Sequence, residues 1–143
     1  PTIVLQAIGK IANPRIDKEG DPVLEGATDV NLRYGIGWYP PSAPIGSDGR
    51  TVLLGHKMKY YGVYFSRLYE MQIGDPFTIT TADTVYTYRV TDITSVYKDD
   101  LMNQIFAPAE GKQCMLVTCD FRTDPEGNNR FLVHSVLESA TPR

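Results

Sequence analysis

The run TVYTYRVTDITSVY, Thr84 to Tyr97, limits what this chain can fold into more than any other stretch. It is dominated by β-branched and aromatic side chains, which lose χ1 freedom in a helix and suit the pleated surface of a sheet. It reads as a long strand. A hairpin at Asp83 joins it to a second strand over Pro76 to Thr81, which a Gly74-Asp75 turn opens.

The remaining segments are mostly short strands between turn signals. Loose alternation through IVLQAIGKIA stops at Asn13-Pro14, a strand closed by a proline. DKEGDP, Asp17 to Pro22, is expected to be a turn, and Val23-Leu24 a short strand piece before Gly26. Thr28 or Asp29 can cap a short helix, DVNLRYG, that Gly35 ends. Tyr39 to Ser47 contains three prolines, which remove backbone donors and exclude regular structure; this loop is a candidate pocket wall. TVLLGH is a buried strand ending at His56, followed by a tyrosine-rich loop over residues 57–62. Val63, Phe65, Leu68 and Met71 have the spacing of a short amphipathic helix, and LMNQIF forms a helical turn inside a polar connection, Lys98 to Lys112. Cys114 to Cys119 and Arg130 to Leu137 are the last strands, linked by the hairpin loop DFRTDPEGNN. About seven to eight strands with one or two short helices predict a mainly β fold, a single closed antiparallel β-barrel.

The chain has 143 residues, which fits one domain spanning 1–143 and is long enough for a substantial core. Its net charge of −3 gives no electrostatic reason to expect a nucleic-acid partner. No stretch approaches the ~18 consecutive apolar residues of a transmembrane helix. Because the chain opens on Pro1 rather than Met, it is expected to be trimmed from a longer protein.

Three residue types at predicted strand ends suggest chemistry. MLVTCD sets the Cys119 thiol at the end of an apolar run, LLGH sets His56 after another, and Arg130 opens a third. A thiol attacks as its thiolate, a nearby cation favours that form, and a histidine can protonate a leaving amine. Each residue also has an ordinary reading: a buried small thiol, a satisfied structural imidazole, a solvated strand-opening cation. Cys114 and Cys119 are five apart, so a regular strand sends them to opposite faces, against both a disulfide and a Cys₂His₂ zinc site completed by His56 and His134. His134 lies four residues after Arg130, on the same face, and is expected to support rather than catalyse.

The ordered set resembles the sortases, the cysteine transpeptidases of Gram-positive-type bacteria. The resemblance rests on IGKIANPRID, on EGATDVNLRYGIGWYP followed by PIGSDGRTVLLGHK, on YFSRLYEMQIGDPFTI, on LVTC and on Arg130 before an apolar strand, from about Ile8 to Leu137. It implies a β-barrel with Cys119 as nucleophile, His56 as acid/base partner and Arg130 on the substrate backbone or the oxyanion, with Thr118 positioning substrate. Tyr60 and Tyr61 follow His56 closely enough to frame the substrate. One departure is Met115, where the family motif usually has Thr; a packing change is expected there.

The resemblance further implies a protein substrate with a C-terminal LPXTG-like sorting signal. The acceptor would be an amine of a cell-wall precursor or a pilin lysine. It also implies a monomeric domain on the extracellular face of the bacterial membrane, held by an anchor outside this chain. No cofactor is expected. Calcium as an activator stays open, because some members bind it beside the active site, although Asp99-Asp100 and Asp124 with Glu126 lack a Ca²⁺-loop spacing. LLGHKM and RFLVHSVL look class B-like, whereas the short Lys98–Lys112 connection lacks that class's helical insertion. A cysteine endopeptidase and a non-catalytic β-barrel binding module are the alternatives.

Overall fold

The computed structural model describes residues 2–56, 64–122 and 124–143. The strand anticipated at Thr84–Tyr97 is present over those bounds as β6. Along its whole length it pairs with β8 (Asn129–Pro142), and its first half also pairs with β5 (Pro76–Thr80). Phe77 of β5 lies opposite Tyr88 of β6, with ring centroids 5.4 Å apart and nearly parallel, so the hairpin register is set by an aromatic cross-strand pair.

The other strands are β1 (Ala7–Asn13), β2 (Asp17–Glu25), β3 (Ile36–Trp38), β4 (Gly49–Leu54) and β7 (Lys112–Asp120). They close into a barrel in the order β1-β2-β3-β4-β7-β8-β6-β5. Closure is as expected, but the sheet is mixed rather than wholly antiparallel. β2 runs parallel to β3, and β4 parallel to β7. Parallel neighbours need a crossover instead of a hairpin. For the first pair the crossover is the short helix α1 (Asp29–Leu32), whose cap is Thr28: its Oγ1 accepts the Asn31 N–H at 3.1 Å. For the second it is the whole passage through β5 and β6. Turn signals mark where strands end; they do not say which strands become neighbours.

DKEGDP is strand rather than turn. The chain reverses earlier, at 14–16, after Pro14. β2 meets β3 only from Val23 onward, so its first part is an edge, and an edge tolerates Pro22 and the positive φ of Gly20 (85°). The apolar pattern ahead of Met71 forms a 3₁₀ helix, Phe65–Glu70; Val63 lies outside the described residues. LMNQI forms α2 (Leu101–Ile105), so the connection from β6 to β7 is short.

Period-two alternation divides the apolar residues between two clusters. Leu53, Leu116, Phe131 and Val133 point into the barrel with Phe77 and Tyr88. Val52, Met115, Val117 and Leu132 point outward beneath Leu101 and Ile105 of α2. β7 is thus buried on both faces, which is why MLV reads as an unbroken apolar run. Full burial of each such side chain contributes about 1.5–3 kcal/mol.

Candidate active site

The parallel pairing of β4 with β7 brings the predicted residues together, because it puts the C-terminal ends of both strands at one end of the barrel. The ladder ends with Leu54 opposite Val117, and the Gly55 N–H still donates to the Val117 carbonyl at 3.0 Å. His56 follows two residues beyond Leu54, as Cys119 follows two residues beyond Val117. β8 is antiparallel to β7 and begins at that end, so Arg130 is the direct cross-strand partner of Cys119. Side chains of directly opposed residues share a face. Arg130 and Cys119 therefore stand on the outer face, two positions from Leu132 and Val117.

His56, Cys119, Arg130 and Thr118 line one open cleft of about 170 Å³, with Leu32 of α1, Leu54, Gly55 and Val117 completing its wall. Gly55 has to be glycine: an added Cβ would lie 2.5 Å from the Phe65 ring and 2.8 Å from Ile36 Cδ1. This is the packing reason for the Gly-His pair. The proline loop does not line this cleft. It folds back on the barrel, with the Gly46 N–H donating to the Tyr88 hydroxyl at 2.9 Å and Trp38 Nε1 donating to the Ala43 carbonyl at 3.0 Å.

Arg130 is held by one end. Its Nη1 donates to the carbonyls of Gly127 (2.9 Å) and Asn129 (3.1 Å), the only hydrogen bonds of its guanidinium among the described residues. Thr118 is buried on the inward face, and its Oγ1 finds no hydrogen-bond partner among the described residues. Tyr60 and Tyr61, the other expected substrate contacts, lie outside the described residues.

The two cysteines point to opposite faces, as their spacing predicts. Cys114 is buried in the barrel, and burial pushes its thiol well above the ordinary range; Cys119 is half-buried, and both are free. His134 lies on the outer face further along β8 and opposite Met115. Its Nε2 is 2.8 Å from Thr94 Oγ1, and burial lowers its pKa, so it is a structural imidazole away from the cleft. The acidic pairs are occupied with local structure. Asp100 accepts from Asn103 and Gln104, and Asp124 accepts the backbone N–H groups of Glu126 and Asn128. Among the described residues no three His, Cys, Asp or Glu side chains cluster to hold a metal.

Sequence reasoning missed the polar cluster behind Cys119. Asp120 is buried, accepts from Arg122 Nη2 at 2.7 Å and Nε at 2.9 Å, and also accepts from Ser95 Oγ (2.8 Å) and the Arg122 N–H (3.0 Å). The Arg122 guanidinium, foremost, with these other donors, holds the Asp120 carboxyl down to about 2 against the desolvation that opposes it. The Arg122 guanidinium in turn lies over the Tyr69 and Phe131 rings, 5.0 and 4.6 Å from their centroids. The signal available in the sequence was an acid directly after an apolar strand with an arginine two residues on, a spacing that a turn can use.

A family model described as Sortase domain matches residues 11–138. Sortase A of Streptococcus agalactiae serotype III (strain NEM316) is 31% identical over 141 residues, covering 94% of this chain and 54% of that protein. Sortase D of Bacillus subtilis (strain 168) is 31% identical over 114 residues, covering 80% of this chain and 54% of that one. The chain thus spans about half the length of these curated relatives. Among solved structures, Listeria monocytogenes sortase A superposes with a TM-score of 0.84 at 23% identity, covering 96% of this chain and 90% of that one, a likeness of fold.

Proposed function

This chain belongs to the sortase family, and we propose that it is the catalytic domain of a cysteine transpeptidase. The observation that carries the reading is the single cleft in which Cys119, His56 and Arg130 meet, although they come from three separate parts of the chain. The Cys119 sulfur attacks the carbonyl carbon of a threonine in an LPXTG-like sorting signal, and the carbonyl oxygen takes up the electron pair. Arg130 donates to that oxygen or to the substrate backbone beside it, a kind of stabilisation typically worth ~3 kcal/mol. As the tetrahedral species collapses the C–N bond breaks, and His56 gives a proton to the departing amine. The resulting thioester is then attacked by an acceptor amine, which loses its proton to His56 and forms a new amide as the thiolate leaves. Water attacking the same thioester gives hydrolysis as a side reaction.

Thr118 is proposed to position substrate, because it precedes Cys119 and is one of the residues lining the cleft. Tyr60 and Tyr61 keep their proposed place beside the substrate from sequence alone. The reaction calls on no cofactor. The proposed substrates are proteins with a C-terminal sorting signal, and the acceptor is a cell-wall precursor peptide or a pilin lysine. The proposed setting is the outer face of the bacterial membrane, with an anchor supplied by sequence outside this chain.

The test is a mass-spectrometric assay with LPXTG-like peptides and several amines, run beside Cys119→Ala. New amide products that vanish in the variant are the expected result. Cys119-dependent cleavage without incorporation of any amine points to an endopeptidase. No product, together with a Cys119 that resists iodoacetamide in the folded protein, refutes the catalytic reading in favour of a binding module.

A further inference from the structure

β7 loses a neighbour just where it presents the nucleophile. Its ladder with β4 ends at Val117, whose carbonyl receives the Gly55 N–H, and β4 itself ends at Leu54. In a strand, groups two residues apart face the same way, so the Cys119 carbonyl and the Phe121 N–H also face the side that β4 has vacated. Leaving the part-buried Cys119 carbonyl there without a partner would be costly. The partner is a side chain. Tyr69, on the 3₁₀ helix Phe65–Glu70, donates its hydroxyl to the Cys119 carbonyl at 2.6 Å and accepts the Phe121 N–H at 3.0 Å.

One phenol therefore replaces both the donor and the acceptor that a further residue of β4 would have supplied. Its ring is fixed from two directions: Phe131 meets it edge-on at 5.0 Å, and the Arg122 guanidinium covers it. Arg122 is in turn anchored on Asp120, next to Cys119 in sequence. The cluster is thus a closed clip around residues 119–122, and no step of the acyl transfer uses any of its groups.

We propose that Tyr69 is a positioning residue for Cys119, a surrogate strand neighbour that lets β4 release His56 into the cleft while the nucleophile's peptide stays fixed. The inference rests on the reading of Cys119 as nucleophile. Without the hydroxyl the Cys119 carbonyl and the Phe121 N–H lose their partner on the side away from β8, and the sulfur loses its fixed relation to His56 and Arg130. Substrate binding along the cleft wall needs none of the clip's groups, so the loss falls on the chemical step.

Tyr69→Phe removes the hydroxyl and leaves the ring. In the folded variant, at a temperature well below its unfolding midpoint, kcat for Cys119-dependent peptide cleavage falls about tenfold, the scale of one lost hydrogen bond, with KM within about twofold. Alkylation of Cys119 by iodoacetamide at pH 7, read by peptide mapping, slows by about threefold or more. A variant that is only less stable, with unchanged kcat and alkylation rate in its folded state, overturns the proposal. If the unmodified protein shows no Cys119-dependent turnover, the transpeptidase reading falls, and the alkylation comparison still decides for or against the clip. Should Tyr69→Phe fail to fold, Arg122→Gln, which uncovers the ring, gives the same two readouts.

Discussion

Replacing Asp120 by Asn tests whether the charge behind the nucleophile holds this end of the barrel together. The Asp120 side chain is 1% exposed and bonded to the Arg122 guanidinium, Ser95 Oγ and the Arg122 N–H. Its carboxyl titrates at about 2 in the folded protein, against about 3.9 in an unfolded chain. A depressed folded pKa contributes stability that is complete above the unfolded value and is lost as pH falls through the folded one. Over that interval the contribution is worth about 2 kcal/mol at pH 7, with roughly half remaining at pH 3 and almost none by pH 1. Asp120→Asn is therefore expected to unfold at a urea concentration about 1 M lower at pH 7, given ordinary m-values for a chain of this size. The gap between the two proteins narrows by about half when the titration is repeated at pH 3. Equal gaps at both pH values would show that the loss comes from shape or packing, and a gap under about 0.5 kcal/mol at pH 7 would show that solvent already screens the pair. Either result refutes the argument from the buried carboxylate.

Two further perturbations address the cleft and the outer face of β8. Arg130→Lys keeps the charge but loses the planar fork, one nitrogen of which reaches the Gly127 and Asn129 carbonyls. Steady-state kinetics should show kcat down about 100-fold, with the unfolding midpoint nearly unchanged. His134 is half-buried and desolvation lowers its pKa, so the unfolded chain binds a proton more readily than the folded one. Stability should consequently fall as pH drops through about 6.5, and His134→Gln should flatten that slope between pH 7 and 5 in thermal melts.

Much of this was written along the chain. The bounds of β6, the hairpin at Asp83, a short helix capped at Thr28 or Asp29 and a helical turn within Leu101–Phe106 follow from residue type and local period, because each is set by contacts within a few residues; the structure selects Thr28 and ends the turn at Ile105. The opposite orientation of Cys114 and Cys119 follows from the two-residue repeat of a strand. DKEGDP misled because turn-forming residues are also tolerated on an open edge, and edge status is decided by the neighbouring strand. The chemistry at Cys119, His56 and Arg130 was legible as residue types in a familiar order. Tyr69 gave no such signal, since its role exists only against the Cys119 carbonyl and the Phe121 N–H.

The sequence by itself determined that the chain would be strands, where most of them would break, and which side chains were equipped for thiol chemistry. Only the tertiary structure decided that β4 and β7 run parallel, and with that, that His56 and Cys119 emerge at the same end of the barrel. It alone buried the Asp120 carboxylate against Ser95 and put a phenol in the place of the departing strand. Periodicity and propensity act within a few residues, whereas strand order and the fate of a vacated hydrogen-bonding edge depend on segments some fifty residues apart, which meet only when the barrel closes.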